Sequence, residues 1–441
     1  MKKLLYAVIL FFLIIGISYF VIAHEPTPAY SPERKYITDR EDEIMTKFLL
    51  AKDSSVIEIP EGHFSISKSI IIDGIKNVTI RGKGMDKSVL SFKNQVEGAE
   101  GLRITNGYNI IVEDLSLEDA SGDVIKAMDC DGLTFRRVNA SATGKMKVSN
   151  PAYLFYPVLS KNILIEECVA IGASDAGIYV GQSTNVVIRN NKVYYNVAGI
   201  ESENCGNVKI YGNDVHENVA GILAFDLPGL ARYGNNVEIY NNKIYNNNIR
   251  SFAPKGSIVS EVPSGTGMLI MSSDSIYVHD NIFLENRTMD IAIASYLSVA
   301  ANNTDTDQVN TSTSDDPATQ TRLNQMSAQT ASIGEEIKKD KNYNPYPRRI
   351  FIKNNHYECS KLFPTMHNDF GHLMLFASFM KHVNIVWDGA RAEDYNLSDG
   401  SVKPVYKICI DEKEGTVFLD ADVMNDLENL SKDLSKFKCE L

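Results

Sequence analysis

Four acidic residues stand close together in the middle of the chain: Asp175, Glu201, Glu203 and Asp226. Cleavage of a glycosidic bond needs one carboxyl as acid and a second as base or nucleophile, about 5 to 9.5 Å apart according to the stereochemical outcome. Lyase or epimerase chemistry needs a base at the sugar's C5 and neutralisation of a carboxylate, often by a cation held on acidic side chains. Calcium is the cation such a site would take, and Lys255 or Arg189 is a further choice of base or clamp. Beside the acids lie residues suited to binding a sugar: Tyr179, Gln182, Asn204 and Phe225. A plainer reading competes. Outward acids on a repetitive protein are usually solvated surface, and Asp175 and Asp226 sit next to turn-forming positions. Glu201 and Glu203 resist that reading, because strand interiors disfavour glutamate.

What would gather these residues is a repeat. Asn162-Ile-Leu-Ile165, Asn185-Val-Val-Ile188 and Asn207-Val-Lys-Ile210 recur at spacings of 23 and 22 residues, and Asn236-Val-Glu-Ile239 and Ser275-Ile-Tyr-Val278 follow after 29 and 39. A fixed period in this range marks a solenoid, with insertions mapping to loops. Asn191, Asn213, Asn242 and Asn281 each lie six residues after the start of their unit, and Asn196, Asn218, Asn247 and Asn286 five later again. Equivalent positions on successive coils lie about 4.8 Å apart, so two ladders of linked amides are expected. Short alternating segments such as Val193-Tyr194-Tyr195 are too short for helices, so each coil holds about three strands. Gly177, Gly199 and Gly221 are each followed by isoleucine, placing a tight bend before an inward side chain. Aligning the coils on these glycines puts Tyr179, Glu201 and Leu223 in one outward column and Gly181, Glu203 and Phe225 in another. Gln182, Asn204 and Asp226 form the next column.

The fold expected is all-β: a right-handed parallel β-helix solenoid with an N-terminal helical cap from Asp39 to Ala51, presenting long flat faces to an extended polymer. The solenoid with its cap covers 36–300. A polar stretch over 301–345 reads as an insertion, and the last coils and a C-terminal cap occupy 346–441. An open solenoid end exposes core and unpaired strand edge, hence the caps. Residues 1–23, two lysines and an apolar run, read as a signal peptide or a signal anchor. The protein is therefore expected outside the cytoplasm, periplasmic, cell-surface or secreted, touching membrane only through that segment. A formal net charge of -12 and the lack of a basic block exclude nucleic acid as a partner. Cys130, Cys168 and Cys205 fall at small buried positions of the repeat, whereas Cys409 and Cys439 flank the last strand and the tail and are the pair most readily joined. His367, His372 and His382 match no zinc spacing, and Met268 and Met271 read as core fillers rather than copper ligands.

Ser174-Asp-Ala-Gly-Ile-Tyr-Val-Gly-Gln-Ser183 and Ala198-Gly-Ile-Glu-Ser-Glu-Asn204 resemble a bacterial family of exported proteins named only for their parallel β-helix repeats. So do the stretches 221–230, 252–256 and 263–267. The resemblance spans roughly residues 56 to 296. More distantly the coils are similar to polysaccharide lyases, glycoside hydrolases, mannuronan epimerases and the periplasmic protein that matures the copper site of nitrous oxide reductase. The epimerases' Asp-Pro-His-Asp signature is absent. The acidic face with its aromatic neighbours points to a polysaccharide or other glycan as partner, met either by an enzyme or by a non-catalytic scaffold binding glycan or protein, and the closed caps favour a monomer.

Overall fold

A computed structural model describes residues 27–298, 337, 339–361, 363–367, 369–378, 381–423 and 427–439. The apolar run of residues 1–23 and most of the polar stretch expected over 301–345 lie outside the described residues. No described helix is long and apolar enough to cross a membrane.

Each repeat unit forms one coil of parallel strands. In the coil beginning at Thr184–Arg189, the chain turns into Lys192–Tyr194, then into Ala198–Glu203, and the next coil starts at Gly206–Tyr211. Thr184–Arg189 pairs in register with Gly206–Tyr211, Lys192–Tyr194 with Asp214–His216, and Ala198–Glu203 with Ala220–Phe225. The third strand of every coil joins an eleven-stranded parallel sheet running from Lys68–Asp73 to Phe418–Asp420, here called the long sheet. Alternate side chains point inward, so Ile188, Val193, Ile200 and their stacked equivalents fill one continuous apolar core.

The asparagines hold the turns. Asn191, Asn213, Asn242, Asn281 and Asn355 are fully buried, and each amide donates to the Oδ1 of the next at 2.9 to 3.0 Å, while that same oxygen accepts the backbone N–H of the residue before it in the ladder. Asn196, Asn218, Asn247 and Asn286 repeat the arrangement. The first ladder ends on Glu412, whose carboxylate accepts from the Asn355 amide at 2.7 Å. A third, exposed ladder runs through Asn162, Asn185, Asn207 and Asn236 at φ of 55° to 58°. Asparagine suits this left-handed bend because its short amide bonds locally. Gly177, Gly199 and Gly221 differ from the expectation of a special bend, since their φ values are ordinary. Glycine is needed at 199 and 221 because a Cβ there would lie 2.6 and 2.3 Å from the backbone oxygen of the next coil.

Both ends of the core are closed. Helix α1 (Glu41–Leu49) buries Ile44 and Phe48 against the first coil, and the Glu41 carboxylate accepts from the backbone and hydroxyl of Ser67. At the far end Phe437 packs on Trp387 and Phe418, and a Cys409–Cys439 disulfide ties the tail to the last coil. Cys130, Cys168 and Cys205 are buried and unpaired. They stand in for ladder residues: Ser160 and Ser183 donate their backbone N–H to the next hydroxyl or thiol, as Cys168 does to Asn191.

The outer face of the long sheet departs from the flat, open surface expected. It carries a second and a third apolar cluster of its own, built with the segments 227–263 and 337–343 and with helix α2 (Asp369–Ser378). The sequence patterns of these segments follow no coil period, so their packing was not legible from the repeat. Met268 lies in the core and Met271 in the outer cluster.

Candidate active site

The pairing register places Tyr179, Glu201 and Leu223 in one outward column of the long sheet, and Gly181, Glu203 and Phe225 in another. The first column continues through Leu269, Ala292, Val386 and Leu419. In the other direction it passes Tyr156 to reach Lys126 and Arg103. One face of one sheet thus grades from basic through aromatic and acidic to apolar.

These acids are not solvated surface. Asp175 is 5% exposed and Glu201 2% exposed, because the outer segments roof the sheet. Together with Tyr153 and Glu203 they line one end of a cavity of about 290 Å3. Asp175 accepts from the Tyr153 hydroxyl at 3.0 Å. Glu203 is held by the Tyr179 hydroxyl. Glu201 receives no hydrogen bond from any described residue.

Burial sets the proton affinities. A carboxylate loses its hydration in this enclosure, and neighbouring negative charges add to that penalty. Burial, then Asp175 and Glu203, push Glu201 well above the ordinary carboxyl range. Burial lifts Glu203 to about 7, with Asp175 and Asp226 adding and the Tyr179 hydrogen bond opposing. Glu201 and Glu203 are two residues apart on the same face of a strand, about 6.6 Å along it. That separation suits a pair of carboxyls working on one glycosidic bond. Both carboxyls therefore hold their protons to higher pH than free ones, Glu203 to about 7, the range in which acid–base chemistry near neutrality works.

Tyr179 is buried, and its ring packs against those of Tyr153 and Tyr156, with centroids 4.7 and 4.9 Å away. Gly181 makes room for it, since a Cβ at 181 would fall 2.2 Å from the tyrosine hydroxyl oxygen. Tyr179 therefore supports Glu203 from beneath and does not face a ligand, contrary to its expected binding role. Phe225 does line the cavity.

The remaining expectations are corrected. Gln182 and Asn204 are occupied in tethering the loop after the strand Ala220–Phe225: Gln182 accepts from the Ala231 N–H, and Asn204 brackets Leu227 and Arg232 through its amide. Neither is free for substrate. Asp226 does not line the cavity. Its carboxylate accepts from the Gly234 N–H at 2.8 Å and its carbonyl from the Tyr343 hydroxyl, which makes it the clamp of that loop. Burial still raises its pKa to about 7, against the opposing pull of the Gly234 bond and of Arg348. Arg189 lies on the opposite side of its coil, paired with Glu166 and Tyr211. Lys255 is exposed and outside the cavity lining. Tyr194 and Tyr245 stack on His216, and Tyr211 and Tyr240 on each other, as internal ladders. His382 lies against buried Asp290 at 2.8 Å.

Tyr153, Tyr156 and the apolar wall were missed. Carrying the column one coil back from Tyr179 would have found Tyr156. The wall from Ser257 to Pro263 and the residues Phe370 and Met374 of α2 had no sequence signal. Among the described residues no three His, Cys, Asp or Glu side chains converge as a metal cage requires.

No curated protein matches the sequence. Among solved structures, the enzymatically active domain of tailspike protein 2 from bacteriophage CBA120 is similar at 13% identity, with a TM-score of 0.38 over 56% of this chain and 38% of that one. This chain thus spans well under half of that domain. The A-module of the mannuronan C-5 epimerase AlgE4 from Azotobacter vinelandii matches at 15% identity and a TM-score of 0.37, over 60% of this chain and 79% of that one. An exopolygalacturonase from Thermotoga maritima matches at 13% and 0.39, over 62% and 88%. Nothing about the site passes from them to this chain at these identities. The family model described as the right handed beta helix region matches residues 56–227 and 160–312, a span that holds the carboxyl column and most of the stacked coils. With more than half of its length so matched, the chain belongs to the right-handed β-helix family.

Proposed function

We propose that this protein is a glycan-directed acid–base enzyme working outside the cytoplasm, with Glu201 and Glu203 as its reacting pair and Asp175 tuning Glu201. The observation that carries this reading is the juxtaposition, on successive outward positions of one strand, of a buried carboxyl, Glu201, and a partly buried one, Glu203, both lining a cavity and both held above the ordinary carboxyl range. Glu201, whose anion no described residue stabilises by a hydrogen bond, is the acid that protonates the leaving oxygen. Glu203 is the base or nucleophile. Among the described residues the cavity lining has no Lys, Arg or His, which favours an uncharged glycan over a polyuronate. A calcium-bridged polyuronate finds no converging ligand set among the described residues. The Cys409–Cys439 disulfide fits an oxidising compartment, and the capped ends fit a monomer.

The test is turnover by the purified chain on neutral glycans and polyuronates, with calcium or chelator, followed by reducing ends and unsaturated-product absorbance. Glu201→Gln and Glu203→Gln should each lower turnover of a neutral glycan about 100-fold or more while leaving the fold intact. A silent panel with saturable glycan binding would replace the enzyme with a binding scaffold. No turnover and no binding would remove both.

A further inference from the structure

Beyond its acidic end the cavity becomes mostly apolar. Leu223, Leu269, Ala292, Val386 and Leu419 form one uninterrupted apolar column of its floor, spanning five neighbouring strands. Four strand steps amount to roughly 19 Å. Val259 and Val262 wall one side and Phe370 and Met374 of α2 another, so the floor is a roofed trough and not an exposed patch. Of the other two lining carboxylates, Asp388 is consumed internally, accepting from the Ser295 and Ala390 N–H groups and from the Ser298 hydroxyl, and Glu261 is exposed and accepts from the Ser260 hydroxyl. Glu201 is the opposite case, a carboxyl 2% exposed, lining the cavity, with no hydrogen bond from a described residue. A buried polar group without a partner is costly, and a ligand hydroxyl would satisfy it.

We propose that the cavity binds an uncharged alkyl glycoside, its sugar head at Tyr153, Asp175, Glu201 and Glu203 and its alkyl chain along the Leu223–Leu419 trough. The placement of the head rests on the glycan reading above; the placement of the chain does not. A polymer of sugars alone would leave the trough unfilled, because its walls offer almost nothing to hydroxyls. An anionic amphiphile would set a negative charge among three acids, with no cation among the described lining residues. The Tyr153 hydroxyl and the carboxyls supply donors and acceptors together, which a hydroxyl-bearing head uses and a quaternary ammonium does not.

The probe is n-dodecyl maltoside below its micelle concentration, titrated calorimetrically into the full chain beside maltose, dodecanoate and dodecyltrimethylammonium. One saturable site is expected for the maltoside, with maltose roughly 100-fold weaker or more. Ala292→Phe, which fills the trough, should weaken the maltoside about ten-fold or more. Ala421→Phe serves as the second trough-filling variant if the first unfolds, and thermal melts identify which variant is folded. Glu201→Gln should keep chain binding. The proposal is overturned if maltose binds as well as the maltoside, if either charged amphiphile binds more tightly, or if folded trough-filling variants bind unchanged. Turnover of plain glycans without maltoside binding would sink this inference and spare the catalytic reading. Maltoside binding without any turnover would do the reverse.

Discussion

At the scale of the residue, Glu203 and Glu201 tie the site to the stability of the whole. The folded pKa of Glu203, about 7, is above its ordinary 4.5, so the folded state binds more protons than the unfolded one between those values. Stability must then fall as pH rises through that window, because the unfolded state ionises more readily. The protein should be more resistant to urea at pH 5 than at pH 8. Glu203→Gln should gain about 2–3 kcal/mol at pH 8 and nothing at pH 4, measured by denaturation across pH. A flat difference between variant and parent would show that the carboxyl is not held protonated by the fold. His382 acts in the same direction. Burial lowers its pKa, but the bonds to Asp290 and Cys359 outweigh that and raise it to about 10, so its contribution is complete below 6.5 and is lost as pH rises through 10.

At the scale of the element, the turns carry information the strands do not. Strand interiors are interchangeable aliphatic positions, but each buried asparagine serves two coils at once. Asn218→Ala would leave the backbone N–H and the amide of Asn196 without their shared acceptor in a dry turn. A loss of about 2–4 kcal/mol is expected. Asn207→Ala, in the exposed ladder, should cost only about 1 kcal/mol, mostly for the left-handed backbone. Equal losses at the two positions in equilibrium unfolding would mean that burial does not decide the ladder's worth. The ladders were legible in the sequence because one residue type, asparagine, recurred at two fixed offsets in each unit. The role of the glycines was half legible: their positions follow the coil, but close approach between coils, and not an unusual φ, is what requires them.

At the scale of the molecule, the tail closes the core and also completes the site. Leu419, Ala421, Val423 and Leu427 line the cavity, and the chain that carries them is fastened by the Cys409–Cys439 link. Reduction, or Cys439→Ser, should therefore loosen the trough before it unfolds the coils. Faster amide exchange is expected over Ile408–Asp411 and Phe418–Asp420, with Ala176–Gly181 and Ala198–Glu203 unchanged. Uniform acceleration along the solenoid would instead make the tail part of one cooperative unit.

The sequence by itself determined the coil. Period, inward aliphatics and asparagine offsets follow from nearest-neighbour stacking, a rule that repeats and can be read from one unit to the next. It also placed Glu201 and Glu203 side by side, because their register follows from the same rule. Only the tertiary structure decided what those acids face. Asp226, Gln182 and Asn204 became clamps, Tyr179 became a support, and the outer face became a roofed trough. Each outcome depends on segments at 227–263, 337–345 and 369–378 folding back across the long sheet, contacts between distant residues that no local period encodes.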